Sequence, residues 1–182
     1  MIIALSGHFR YMFRKSRSLV LLKEELEEVQ DYCRIYNIRN GIPLLVDMDV
    51  SKSEMLCKVP ILCIQTFVEN AIKYYGKNWA NAAGTDTDSK NKKWKIKNEF
   101  LKIRITDNGV GYTKENLDEF NKPVDKFVYK SSHVGIDNLK YRFKLIFENE
   151  ADIYFYNAPY SGAVVEMTIP VKEDDSDENI NN

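Results

Sequence analysis

The chain has 182 residues, near the size of one domain with room for a short appendage. Apolar residues make up 44%, enough for a core, and a formal net charge of −1 excludes a general basic footprint for nucleic acid. No apolar run approaches the ~20 residues that cross a bilayer, and residues 1–5 are too short for a secretory leader and precede the basic residues instead of following them.

Residues 11–38 read as one long helix. Leu19, Leu22, Leu26, Val29, Cys33 and Tyr36 recur at alternating steps of three and four, a heptad-like seam. Glu24, Glu25, Glu27 and Glu28 form its solvated face. The seam either docks on the rest of the chain or pairs with a second chain. Gly41-Ile42-Pro43 ends the helix, and residues 44–50 read as a strand. Pro60 starts the next helix, where its missing N–H costs nothing, and Ile61, Ile64, Val68, Ala71 and Ile72 give that helix a buried stripe. Residues 78–98 are a polar excursion, a long hairpin with 94–97 as its first arm. Residues 100–106 alternate Leu101, Ile103 and Ile105, the period of a half-buried strand. Residues 112–132 are a mobile stretch with a short helix at 115–120, and 134–147 form a helix. Residues 152–157 and 163–169 make a hairpin around 159–162. The acidic, Asn-rich tail at 173–182 is expected to be disordered. Cys33, Cys57 and Cys63 lack metal-site spacing and read as buried or idle thiols of a reducing cytoplasm.

Two adjacent late strands exclude a purely parallel, doubly wound sheet. The expectation is an α+β fold: a two-layer α/β sandwich whose mixed, mostly antiparallel sheet carries helices on one face, preceded by a long N-terminal helix.

Three short motifs carry the chemistry. In Glu69-Asn70-Ala71-Ile72-Lys73-Tyr74, positions 70 and 73 share a helix face and 69 lies beside them. An Asn oxygen suits Mg²⁺, which takes few protein ligands beside phosphates and waters. Lys73 supplies a positive charge for a phosphate, and Glu69 can polarise a water or hydroxyl. In Asp107-Asn108-Gly109-Val110-Gly111, an acid just past a strand end can accept from an exocyclic amine such as adenine N6, while two glycines let the backbone approach a flat base. Gly135-Ile136-Asp137-Asn138 opens a helix whose exposed N–H groups suit an anion. Singly, each has a bland alternative: a polar helix edge, an Asp-Asn-Gly turn, a glycine-initiated helix. All three in this order form the two halves of a nucleotide pocket and a phosphate-side loop.

These residues resemble the ATP-binding end of sensor histidine kinases in the GHKL (Bergerat) superfamily, the group that includes the LytS and YesM sensors. Pro60 to Gln65 with Phe67 to Lys73 resembles the group's N box, Asp107 to Tyr112 its G1 box, and His133 to Leu139 with Arg142-Phe143 its G2 region. Gly162 to Pro170 resembles the closing strand, and Leu5-Ser6, Phe9 to Tyr11, Leu22 to Leu26 and Tyr32 resemble the second helix of the dimerisation hairpin. The resemblance implies that residues 1–40 belong to a dimerisation and phosphotransfer helix, 41–171 to an ATP-binding catalytic domain of the Bergerat fold, and 172–182 to a tail.

By the same resemblance, Asn70 ligates Mg²⁺, Lys73 and Tyr74 face the phosphates, Asp107 reads adenine, and Glu69 is the candidate base. Gly109, Gly111, Gly135, Ile136 and Asn138 complete the ATP pocket. ATP and Mg²⁺ are the implied cofactors. The implied partners are a cognate response regulator and a second copy joined through the N-terminal helix, in the cytoplasmic portion of a membrane-bound sensor. Tyr74 replaces the usual histidine, an extra Tyr75 displaces the next glycine to Gly76, His133 stands at a lid glycine, and Ala163 replaces a closing-strand threonine. The group's acceptor histidine has no counterpart: His8 falls in the second-helix region and His133 in the lid region. The expected γ-phosphoryl acceptor is therefore a histidine outside this chain. The other readings are a GHKL protein serine kinase of the anti-sigma type, or a catalytically silent dimerisation module with a degenerate pocket.

Overall fold

A computed structural model describes residues 18–41, 44, 46–75, 95–97, 100–124 and 133–171. The expectations for residues 1–17, for most of the 78–98 excursion, for Gly76, for the segment at 125–132 and for the tail lie outside the described residues.

The first strand, β1 (Leu19–Leu21), runs directly into helix α1 (Leu22–Asn40). The expected long helix therefore begins at Leu22 among the described residues, because Leu19, Val20 and Leu21 pair antiparallel with β2 (Lys58–Pro60) instead. Glu24 bonds back to the Leu21 N–H at 3.1 Å, and Gly41 ends α1 with its N–H on the Asn37 carbonyl.

The apolar seam of α1 docks on its own chain. Leu22, Leu26, Val29 and Cys33 are buried in one core with α2 (Cys63–Tyr75), α4 (Val134–Phe147) and the inward side chains of the sheet. Glu25, expected on the solvated face, is fully buried.

The expected strand at 44–50 does not form among the described residues. Leu44 gives its N–H to Asn37 Oδ1 at 2.6 Å and its carbonyl accepts from Asn37 Nδ2 at 3.4 Å. A side chain thus takes the backbone bonds that a strand partner would have taken, while Leu44, Met48 and Val50 still pack against the core. A short 3₁₀ turn at Glu54–Leu56 follows.

Pro60 does not open a helix. It closes β2 opposite Leu19, and α2 starts three residues later at Cys63. Leu62, between them, sits at φ +62.

The main sheet has the order β3 (Lys95–Lys97), β4 (Phe100–Thr106), β6 (Ala163–Pro170), β5 (Asp152–Asn157), with each neighbour antiparallel. β4 and β6 pair along their length, from Phe100 opposite Pro170 to Thr106 opposite Val164. The alternation in β4 is realised: Leu101 and Ile103 are buried, and Lys102 and Arg104 are exposed. Phe155, Ile153, Val165, Met167 and Ile169 complete the inner face. On the outer face Arg104 Nε donates to Glu166 at 2.6 Å, and Tyr156 donates to the same oxygen at 3.0 Å. Among the described residues the helices pack on the inner face of this sheet, in the α+β arrangement that the element order implied. The short helix α3 (Lys114–Phe120) is capped by Thr113, whose hydroxyl accepts from the Asn116 N–H.

Candidate functional site

Asp107 stands one residue past the end of β4. Its Oδ1 accepts from the Gly109 N–H at 2.8 Å and the Ala163 N–H at 3.0 Å. These two bonds lock the carboxylate to its own turn and to the first residue of β6. Its Oδ2 takes part in neither bond, so the two backbone N–H groups fix the carboxylate through one oxygen. Gly162 makes this possible: at φ +101, a Cβ there would collide with the Asp107 carbonyl oxygen. Ser161 ties the same two loops together by donating to the Gly109 carbonyl at 2.6 Å.

Gly111, at φ +79, lies where a Cβ would meet the Asn157 side chain at 2.6 Å. That amide clamps the next residue from both sides: Tyr112 N–H donates to Asn157 Oδ1 at 2.7 Å, and Asn157 Nδ2 donates to the Tyr112 carbonyl at 2.9 Å. Burial, with the nearby Asp107 charge as a second cause, pushes the Tyr112 hydroxyl far above the ordinary phenol value.

Residues flanking the three motifs share one aromatic cluster. Phe67 of α2 packs on Phe155 at 5.8 Å, Tyr112 on Phe155 at 5.9 Å and on Phe120 at 5.5 Å, and His133 on Phe120 at 4.7 Å, all edge to face. These separations lie in the favourable range for aromatic pairs. His133 is the residue before α4, so the cluster joins α2, the 107–112 turn, α3 and the start of α4 on one strand, β5. Gly135 adds a second link: a Cβ on it would be 3.7 Å from Thr66 of α2.

On α2, Glu69 and Lys73 are exposed and Asn70 is half-buried. Glu69 accepts from Gln65 Nε2 at 2.7 Å. The Tyr32 hydroxyl of α1 is raised by burial first and then by the Glu69 charge. Glu69 therefore faces α1, and helix geometry puts Asn70 about 100° further round, on a different face. Tyr74 lies on α2, with its side chain outside the described residues.

In the first turn of α4, Gly135 and Asn138 are exposed, whereas the Ile136 side chain is buried in the core. The Ile136 N–H is already bonded to the His133 carbonyl at 3.0 Å. Among the described residues no three His, Cys, Asp or Glu side chains cluster as a metal cage. Asn70, half-buried on α2, offers one neutral oxygen of the kind that Mg²⁺ takes beside phosphates and waters. A shallow cavity of about 450 Å³ between α3 and β5, lined by residues including Leu117, Asn121, Tyr154 and Tyr156, contains none of the candidate residues.

Several organising residues escape sequence reasoning. Asn121 bonds both the N–H and the carbonyl of Phe155. Lys140 donates to the carbonyls of Phe120 and Lys122, each at 2.5 Å. Glu25 accepts from the Leu62 N–H at 2.5 Å and the Ile64 N–H at 3.1 Å. Their partners lie from 18 to 39 residues away in sequence, so no local pattern marks them.

No family model matches the chain. It is similar to the sensor protein kinase HptS of Staphylococcus aureus strains USA300, NCTC 8325 and COL, 23% identical over 175 residues in each case. The similarity covers 95% of this chain and 32% of the relative, so the chain spans about a third of the length of the curated relatives it matches. It supports kinship with the sensor kinases. No helix among the described residues is long and apolar enough to cross a membrane.

Proposed function

We propose that this chain is the ATP-binding catalytic part of a sensor histidine kinase. Asp107 reads the adenine amine, Asn70 holds Mg²⁺, and Lys73 and Tyr74 face the phosphates. Gly109, Gly111, Gly135, Ile136 and Asn138 shape the pocket around them, the buried Ile136 from the core side. The observation that carries this reading is the state of Asp107. Two backbone N–H groups fix the carboxylate through one oxygen, next to a glycine that admits no side chain. The similarity to sensor protein kinases over nearly the whole chain supports the same class of reaction.

Mg²⁺ would neutralise charge on the phosphates, and the protein would contribute position and electrostatics in place of covalent chemistry. Lys73 adds a cation beside them. Glu69 belongs to the edge nearest α1, where an incoming acceptor histidine from outside this chain would be oriented. The phosphohistidine would then serve a response regulator, in the cytoplasmic portion of a membrane-bound sensor.

Isothermal titration with Mg-ADP tests the pocket. Asp107→Asn keeps an oxygen for the Gly109 and Ala163 N–H groups but can turn an NH₂ donor toward the adenine amine. The loss of a charge-assisted bond of ~1.5–3 kcal/mol predicts at least about tenfold weaker binding at unchanged fold. Wild-type protein that ignores millimolar nucleotide, or a variant that binds as well as wild type, would overturn the reading.

A further inference from the structure

We infer that Glu25 is a positioning residue through which α1 sets the attitude of α2, and hence the ability of the Asn70 and Lys73 edge to take metal-loaded nucleotide. The inference rests on the nucleotide reading above.

Glu25 is the charged residue that the helical pattern would leave in water, yet it is fully buried. A buried carboxylate is costly unless hydrogen bonds compensate it. Here the Leu62 and Ile64 N–H groups do so, at 2.5 and 3.1 Å. They belong to the set of amides that the first turn of a helix leaves unsatisfied, and the carboxylate faces the positive end of the α2 dipole. The cap of α2 is thus supplied by another helix and not by its own preceding loop.

The same turn is held from a third helix, for Arg142 of α4 donates to the Ile61 carbonyl at 2.7 Å. Leu62 between these grips sits at φ +62. A branched non-glycine side chain keeps that conformation only when its surroundings over-determine it. Seven residues further along α1, the Tyr32 hydroxyl feels the Glu69 charge of α2. The two points, Glu25 at Ile64 and Tyr32 near Glu69, are seven residues apart on α1 and five on α2, and together they define a direction as well as a point.

The lever is short. Asn70 lies six residues beyond Ile64, about 9 Å along the helix, so a 10° change of tilt at the first turn moves it by about 1.6 Å. Mg²⁺ demands near-ideal geometry at about 2.0–2.1 Å and tolerates no such shift. Adenine recognition depends on it far less, because both hydrogen bonds of the Asp107 carboxylate run to its own turn and to β6. Disturbing Glu25 therefore separates metal-dependent from metal-independent nucleotide binding.

The experiment measures ADP affinity calorimetrically with Mg²⁺ and with EDTA, for wild type, Glu25→Gln and Glu25→Ala. The Gln variant keeps the shape and one acceptor and is the milder probe. The expected result is that the gain in affinity conferred by Mg²⁺ falls about tenfold in the variants, while affinity in EDTA changes by less than about twofold. A merely structural cap would lower melting temperature and leave the Mg²⁺ gain untouched, which overturns the inference. A second measurement needs no variant. By reciprocity of coupling, Mg-ADP should slow amide exchange at Leu62 and Ile64 in wild-type protein, and ADP in EDTA should not. Equal exchange in both conditions, or a wild-type ADP affinity indifferent to Mg²⁺, overturns the inference alone. Failure of wild type to bind ADP at all overturns the nucleotide reading beneath it.

Discussion

Gly162 is the residue on which the candidate site depends most narrowly. Its positive φ, and the overlap that any Cβ there would make with the Asp107 carbonyl, are two independent reasons against a side chain. Gly162→Ala must therefore push the β5–β6 turn away from the 107–109 turn and break the bond from Ala163 to Asp107. Strained backbone and overpacking each cost ~1–3 kcal/mol, so urea denaturation should show a loss of about 3 kcal/mol or more. A loss below about 1 kcal/mol would mean that the two loops separate freely. The candidate acid, lysine and glycines stand out in the sequence at this scale, because each residue type carries its chemistry in its own name. The amides of Asn121 and Asn157 are not, since an Asn that clamps a distant backbone looks like any polar residue at an element's end.

At the scale of elements, α1 changes its meaning. Its heptad-like seam admits a partner helix or a docking site, and Leu22, Leu26, Val29 and Cys33 are spent on the chain's own core. A homodimer built through this helix would have to use another face. Leu22 has no exposed surface, and Leu22→Ala should cost about 2–5 kcal/mol, the range for a truncated core leucine. Chemical denaturation would register this at any protein concentration. A cost that appeared only at concentrations favouring association would return the seam to an interface. The strand β4, the helices α3 and α4 and the late hairpin are readable from period and capping. Sequence and structure part where long-range bonds override local signals. Asn37 takes both backbone groups of Leu44, and the β1–β2 pairing claims Leu19 to Leu21 and Pro60 for strands.

Across the whole molecule, burial sets a common alkaline response. It raises the thiols of Cys33, Cys57 and Cys63 above 9.0 and the hydroxyls of Tyr32 and Tyr112 above 10.0, and it contributes at Tyr156 beside Glu166. The folded state holds these protons to higher pH than the unfolded state does. Their contribution to stability is whole below the ordinary values and drains away as pH rises past them. Lys140, lowered by burial, acts in the opposite sense. Unfolding free energy should therefore fall above about pH 9, with a slope of up to ~1.4 kcal/mol per unit for each fully shifted group. Tyr112→Phe should flatten the part of the decline that lies above about pH 10. An identical pH profile for wild type and variant would show that Tyr112 ionises freely in the folded protein.

The Asn121 clamp has a consequence beyond the site. Among the described residues, strand β5 ends the main sheet, and an outermost strand offers a row of unpaired amides and carbonyls to any extended chain that drifts alongside. At Phe155, near the middle of that rim, both groups are already occupied by one asparagine side chain. The amide works as a stopper against strand addition, so the fold guards itself from sheet-to-sheet self-assembly with the same residue that steadies the aromatic cluster.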